Sequence, residues 1–387
     1  LDSNNPGAFT NLGVVLKDLG NLEEAEASCK IAVELKPDFS QGHNNLAEFY
    51  MCVSKLEDAE TSYKKAISLN PDFAEAHNNL GMLYLRQQDF RRGFELNEWR
   101  WKTKQEIGER LISSKPDWSG EQGKTVFIWS EQGVGDVLMF ATILKELQEI
   151  SAAVILRCDQ RLVPLFERSF SGNISFISGN DTIVPETSYD YHIPIGSLPK
   201  FFRHDLASFE KGSKAFLKAD LNKVKHIKEI LHQDSEQSIC GISWRGGKKG
   251  AARLRSIELP LLASALDDNK QTLVSLQYNA TKQELDDLRN HHGIDIITLP
   301  EIDNFNDLDG LAALICACDN IVSVDNTTVH LAGALGADTH ALIPLAHGWR
   351  WGRDSETSYW YDSVSLHRQH AIADWSQPLK TAQLKLR

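Results

Sequence analysis

Apolar positions in the first quarter of the chain recur on a long period. From about residue 8 to 104, an offset of 34 aligns Asn11–Leu12–Gly13 with Asn45–Leu46–Ala47 and Asn79–Leu80–Gly81. The same offset pairs Ala25 with Ala59, Ala32 with Ala66, and Lys36–Pro37–Asp38–Phe39 with Asn70–Pro71–Asp72–Phe73. Leu12, Leu16, Leu46, Tyr50, Leu80 and Tyr84 lie four apart within each register, the spacing of a helix with one buried stripe. Small residues such as Gly13, Ala25 and Ala32 let two antiparallel helices approach closely, and Pro37 and Pro71 end the second helix of each pair. The third register decays, with Gly93, Asn97 and Arg100 where Ala59, Tyr63 and Ala66 stand, and with Trp99 and Trp101 close by. This last pair is expected to dock onto the next domain rather than onto another repeat.

After Trp118 the pattern changes to short apolar runs followed by helical ones. Thr125–Trp129 reads as a strand, and further strands are expected at 153–157, 174–177 and 190–193. Following a helical stretch near 220–233, a second set is expected at 238–244, 272–277, 294–298, 320–324 and 340–344, with helices at 281–290, 307–318 and 327–335 between most of them. Alternation of this kind predicts parallel sheets with helices on both faces. The expected division is a helical array over 1–104, a first α/β domain over 105–218 and a second over 219–387. Only four strands are expected in the first α/β domain.

Two helix starts carry candidate chemistry. Glu131-Gln-Gly-Val-Gly-Asp136 follows the first strand and opens a helical run from Val137 to Leu147, so Gly133 and Gly135 place backbone N–H groups toward an anion. The third glycine of a dinucleotide fingerprint is missing, which argues against a nicotinamide dehydrogenase. Asp136 is either a functional carboxylate or a helix cap. In the second set, Asn320-Ile-Val-Ser-Val-Asp325 reads as a buried strand, and Asn326-Thr-Thr-Val-His330 then opens an apolar helix. Asp325 or Asn326 caps this helix, Thr327 and Thr328 face its mouth, and His330 sits one turn in, as an anion contact or a core histidine. Trp349, Arg350, Trp351, Trp360 and Tyr361 are expected to pack at the rim of the cleft between the two sheets.

Charge sharpens this picture. The 387 residues carry a net charge of −12, with 42% hydrophobic and 24% charged residues, which disfavours broad nucleic-acid or anionic-membrane binding. Against that background, Arg245, Lys248, Lys249, Arg253 and Arg255 fall within eleven residues that hold no acid. Such a loop wants an anion, and Arg245, Lys248 or Lys249 can supply the cation; Gln277, at a strand end, is placed to contact a base or ribose. The six cysteines show neither disulfide-framework nor zinc spacing, so reduced thiols in a cytoplasmic protein and no metal are expected. No apolar run spans a bilayer, no signal peptide is evident, and the first residue is not Met, from which an upstream segment is expected to have been removed.

The 34-residue period resembles the tetratricopeptide repeat. Asn11, Asn45 and Asn79 recur along the concave surface of such a stack, and carboxamides there suit an extended peptide backbone. Repeat arrays of O-linked N-acetylglucosamine transferases use such a ladder, so this resemblance implies capture of a polypeptide. The stretch from Asp325 to Gly336, with Gln132–Asp136, Gly241–Arg245, Arg255–Ile257, Ser275–Gln277 and Trp349–Trp351, resembles glycosyltransferase family 9, the heptosyltransferase-like enzymes. Together they look like a bacterial architecture in which repeats precede a transferase. The family resemblance implies a GT-B fold of two Rossmann-like domains, with the acceptor on the first and the nucleotide-sugar on the second. It implies inverting, metal-independent transfer with no cofactor beyond the nucleotide-diphosphate sugar. It also implies Asp136 as general base, Thr327, Thr328 and His330 as the diphosphate-binding helix start, and a phosphate-contacting cation in the loop after Trp244. A protein acceptor held by the repeats is favoured; a glycan acceptor, or a scaffold that no longer turns over, are the alternatives.

Overall fold

The computed structural model describes residues 4–103, 110–179, 182–233, 237–247, 255–267, 271–345 and 348–386. It divides into two compact units, one holding the helical repeats with the segment Leu345–Asp354, the other holding two parallel sheets.

In the first unit the helices pair as expected: α1 (Pro6–Leu19) with α2 (Leu22–Leu35), α3 (Ser40–Cys52) with α4 (Leu56–Leu69), and α5 (Ala74–Arg86) with α6 (Phe90–Asn97). Ala25, Ala47 and Ala59 are fully buried among Leu46, Tyr50, Leu80 and Tyr84. Gly93 shows why the third pair differs: a Cβ there would lie 2.6 Å from the Leu85 side chain. Arg100, standing where an alanine did, is buried against Glu98 at 2.6 Å. Trp99 stacks on His77 of its own repeat at 4.0 Å, and Lys102 Nζ lies 4.1 Å from the centre of the Trp99 ring. The last pair packs on the Leu345–Asp354 segment: Phe94 meets Trp349 edge-on at 5.7 Å, and Arg86 donates to the Leu345 carbonyl at 3.2 Å. Trp349, expected at the rim of a cleft between the sheets, therefore belongs to the repeat array.

The second unit begins with β1 (Thr125–Trp129), α7 (Val134–Phe140), α8 (Leu144–Ile150), β2 (Ala153–Cys158), α9 (Val163–Ser169), β3 (Ile174–Ser178), β4 (Tyr191–Pro194) and α10 (Pro199–Phe202). Its four strands run parallel in the order β3-β2-β1-β4. Next come α11 (Leu221–Leu231), β5 (Ser238–Ser243), α12 (Leu259–Leu266), β6 (Gln271–Ser275), α13 (Lys282–His292) and β7 (Ile296–Ile297). The chain continues with α14 (Leu308–Ala317), β8 (Asn320–Val324), α15 (Thr327–Leu335), β9 (Thr339–Ile343), β10 (Val364–Arg368) and α16 (Ser376–Lys385). These six strands are also all parallel, ordered β10-β9-β8-β5-β6-β7. A helical array followed by two Rossmann-like sheets is the architecture the sequence predicts.

Strand β10 and helices α9, α10, α12 and α16 add to the expected elements, and the strand expected at 294–298 shrinks to two residues at the sheet edge. Ile242, Val322, Val324 and Leu342 form a core with Leu262, Leu266, Leu288, Leu379 and Ala382 from α12, α13 and α16. Burial on both faces is why these strands read as continuous apolar runs. Among the described residues, no helix is long and apolar enough to cross a membrane.

Candidate functional site

Both strand orders reverse direction beside their first strand, and such switch points leave a crevice at the carboxyl ends of the strands. In the second sheet the crevice opens between β5 and β8, where the chain places Ser243 and Asn326. Asn326 is the N-cap of α15: its Oδ1 accepts from the Thr328 N–H at 2.9 Å. Its Nδ2 donates to the Ser243 hydroxyl at 2.7 Å and to the Arg245 carbonyl at 3.1 Å. Of the two residues suited to capping by sequence, the structure thus selects Asn326. Asp325 is buried, its carboxylate 3.8 Å from the Arg255 guanidinium. Thr327 is half-buried and Thr328 buried at the first turn, and His330 is buried with Nδ1 3.2 Å from the Tyr361 hydroxyl.

In the first sheet the crevice lies between β1 and β4, and Glu131 spans it by accepting from the Gly196 N–H at 3.2 Å. Gly133 occupies the N-cap of α7, so Asp136 is the third helical residue and not the cap. It is half-buried, and its N–H donates to the Gly133 carbonyl at 3.0 Å. The two helix starts meet directly. α7 packs on α15, and a Cβ at Gly135 would stand 3.2 Å from the His330 ring and 3.5 Å from Thr327 Oγ1. Glycine is what permits this approach, and it brings Gly133, Gly135, Asp136, Thr327 and His330 into one neighbourhood.

The remaining expected contacts are placed differently. Arg245 is engaged by Glu284 through both carboxylate oxygens, at 2.8 and 3.0 Å, and donates to the Asn279 carbonyl at 2.9 Å. Trp244 Nε1 donates to the same carboxylate at 2.8 Å, so Glu284 anchors the turn after β5 to the start of α13. Gln277 is buried, with Oε1 accepting from Ser243 Oγ and from the Trp244 and Arg245 N–H groups. Its Nε2 donates to the Tyr278 carbonyl at 2.8 Å. The carboxamide expected at a base or ribose thus braces the turn on which Asn326 docks. Lys248 and Lys249 lie outside the described residues. Glu284 is the residue that sequence reasoning left out of the site; Arg255 was singled out within the acid-free basic loop and Tyr361 at the cleft rim, without the partners they meet here.

Beside Gln277, at the ends of β6 and β7, a cavity of about 560 Å³ opens, lined in part by Tyr278, Asn304 and Phe305. Its aromatic and carboxamide walls suit a planar polar ligand. All six cysteines are free thiols. Among the described residues, no group of three or more His, Cys, Asp or Glu is placed to hold a metal ion.

In the repeats, Asn11 is exposed, while Asn45 and Asn79 are half-buried and already engaged. Asn45 Oδ1 accepts from Gln41 at 2.7 Å and from Asn44 at 3.3 Å. Asn79 donates to Asn44 Oδ1 at 3.3 Å and to Glu48 at 3.0 Å, and Asn44 donates to Glu48 at 2.8 Å. The three asparagines therefore do not form an equivalent row. Asn44 and Glu48 complete the network, and Asn44 had a signal in its recurrence as Asn78.

Residues 6–39 match the family described as "Tetratricopeptide repeat", and residues 54–88 match that described as "TPR repeat". A solved glycosyl transferase family 9 protein from Veillonella parvula is similar to the chain at 13% identity and a TM-score of 0.45, over 64% of this chain and 87% of its own. The Escherichia coli ADP-heptose lipopolysaccharide heptosyltransferase II is similar at 13% identity and a TM-score of 0.42, over 68% of this chain and 98% of its own. Protein FlbA of Caulobacter vibrioides is 30% identical over 289 residues, 70% of this chain and 48% of that protein. The chain thus spans about half the length of this curated relative, and its N-terminal helix pairs are tetratricopeptide repeats.

Proposed function

We propose that the chain is an inverting, metal-independent glycosyltransferase that moves a sugar from a nucleotide-diphosphate donor to a polypeptide recruited by its repeats. The observation that carries this reading is the meeting of two helix starts through Gly135: the first turn of α15, with Thr327 and His330, lies against the turn that carries Asp136.

Each part has a task in such a transfer. The N-terminus of α15 presents free N–H groups and the positive end of its dipole to a diphosphate, and the Thr327 and Thr328 hydroxyls add donors. His330 offers a ring nitrogen to a phosphate oxygen, and Arg255, which reaches Asp325, supplies positive charge as the leaving diphosphate gains negative charge. Asp136 takes the proton of the acceptor hydroxyl as that oxygen attacks the anomeric carbon from the face opposite the diphosphate. Attack from that face inverts the anomeric centre. The cavity beside Gln277 takes the nucleoside, with Tyr278 and Phe305 against its base.

The reading is tested by incubating the full chain with ADP-, GDP-, UDP- and TDP-sugars, with and without a peptide acceptor pool. Donor hydrolysis, or sugar transfer onto peptide, is the expected result. If none of the donors is bound, hydrolysed or transferred, the transferase assignment is wrong. Transfer to glycan acceptors with none to peptides would leave the enzyme standing and remove the polypeptide.

A further inference from the structure

The wall of the cavity beside Gln277 is held from the other sheet. Arg161 lies in the turn after β2, where Asp159 fixes its guanidinium: Oδ1 accepts from Nε at 2.9 Å and Oδ2 from Nη2 at 2.7 Å. Nη1 donates to the Phe305 carbonyl at 2.8 Å, and the guanidinium carbon stands 4.9 Å from the centre of the Phe305 ring. Phe305 lines the cavity with Tyr278, their ring centres 5.9 Å apart. Asp303 holds the same turn from within the second sheet, accepting from the N–H groups of Phe305 and Asn306 at 2.9 and 3.0 Å. A second bridge joins the same segments: Arg168 of α9 pairs with Asp309 of α14, which also takes Lys223 at 2.9 Å.

Burial does not order the Phe305 ring, which is 44% exposed. A ring so exposed keeps most of its rotamer freedom unless something else holds it. Here the holder is a cation that is itself pinned in a planar fork, a geometry that arginine provides and lysine does not.

We propose that Arg161 is a positioning residue for the ligand of this cavity: from the first sheet it fixes the Phe305 wall, so affinity for the ligand depends on how the two sheets are seated. The inference rests on the reading that the cavity takes the nucleoside of a nucleotide-sugar. It makes the nucleotide site a joint product of both sheets, although every residue lining the cavity belongs to the second.

The test compares the full-length wild type with Arg161→Ala and Arg161→Lys in three measurements: thermal unfolding, amide hydrogen exchange over residues 299–307, and calorimetric titration with ADP, GDP, UDP and TDP. Arg161→Ala is expected to exchange faster across 303–307. It is also expected to bind whichever nucleotide the wild type prefers about tenfold more weakly, a loss in the range of one cation–π contact and one charged hydrogen bond. Arg161→Lys, which keeps charge but not the fork, should fall between. Unchanged exchange and unchanged affinity in Arg161→Ala would overturn the proposal, as would an affinity loss matched by general unfolding. Should Arg161→Ala fail to fold, Arg161→Lys decides by the same two readouts. If no nucleotide binds the wild type, the transferase reading fails separately, and the exchange measurement alone still supports or overturns the clamp.

Discussion

Asn326 donates its side-chain N–H to the Ser243 hydroxyl at 2.7 Å, tying the first residue before α15 to the last residue of β5. The same carboxamide caps the helix through Oδ1, so one side chain sets both the start of the helix and its distance from the neighbouring strand. Asn326→Ala is expected to lower stability by about 1–2 kcal/mol, the range for loss of an N-cap together with a buried hydrogen bond. Asn326→Asp keeps the cap and loses both donor bonds, so it should fall between. Urea unfolding measures this, and an alanine variant as stable as wild type would show that the switch point is held by other contacts.

Acid should weaken the second sheet through a buried histidine pair. His340 on β9 and His367 on β10 share a hydrogen bond of 3.1 Å, and His367 Nδ1 lies 2.9 Å from Thr381 Oγ1. Burial lowers both, taking His367 to about 3, with the neighbouring His340 and Lys385 adding to the fall. His367 is therefore neutral in the folded protein at neutral pH, whereas in the unfolded chain both rings titrate near 6.5. The His367 contribution is fully present above about pH 6.5 and is lost as pH falls from there toward 3, at up to about 1.4 kcal/mol per pH unit, and the lowering of His340 acts in the same direction. Urea midpoints at pH 7.5 and pH 5 should separate in the wild type, and separate less in His367→Gln.

The contact of Gly135 with His330 and Thr327 gives a steric test. Alanine there places its Cβ 3.2 Å from the His330 ring, a crowding that a small shift relieves, whereas the branches of valine reach further. Gly135→Val should cut donor turnover by about a hundredfold, the scale on which misplacing reacting groups by about 1 Å acts. Gly135→Ala should lose less. Turnover assays, paired with circular dichroism to show that the fold persists, separate this from general damage.

In the repeats, Asn79 and Asn11 occupy equivalent sequence positions but not equivalent environments. Asn79 joins α5 to Asn44 and Glu48 of α3, and Asn11 is exposed. Asn79→Ala is expected to cost about 1 kcal/mol of stability, and Asn11→Ala close to nothing. Equal effects in denaturant titration would contradict the network.

The repeats were legible because one structural unit recurs, so the apolar position of Leu12, Leu46 and Leu80 is stated three times and the proline position of Pro37 and Pro71 twice. Strands β1, β5, β8 and β9 were legible because burial on both faces makes them apolar runs bounded by turns. Val364–Arg368 escaped because it is short, carries Ser, His and Arg, and follows a stretch rich in Trp and Tyr that hides a strand boundary. The helix starts after β1 and β8 were readable as local motifs, whereas the partners that define them were not. Glu284 claims Arg245 from 39 residues away, Tyr361 meets His330 from 31 residues away, and Arg161 reaches Phe305 across 144. Such contacts depend on strand order, which periodicity does not reveal. Gln277 was placed correctly at a strand end, yet its oxygen points back to brace the turn, a choice that only the fold decides.

Single-turnover measurement on Asp136→Asn and His330→Ala, with nucleotide-sugar as donor, tests the central claim most directly. Asp136→Asn is expected to bind nucleotide diphosphate like the wild type while its transfer step slows by about 10²–10⁴-fold, the worth of a general base. His330→Ala is expected to lose nucleotide affinity first. Full transfer activity in Asp136→Asn, or unchanged nucleotide binding in His330→Ala, would contradict a donor seated at the start of α15 opposite the Gly135–Asp136 turn.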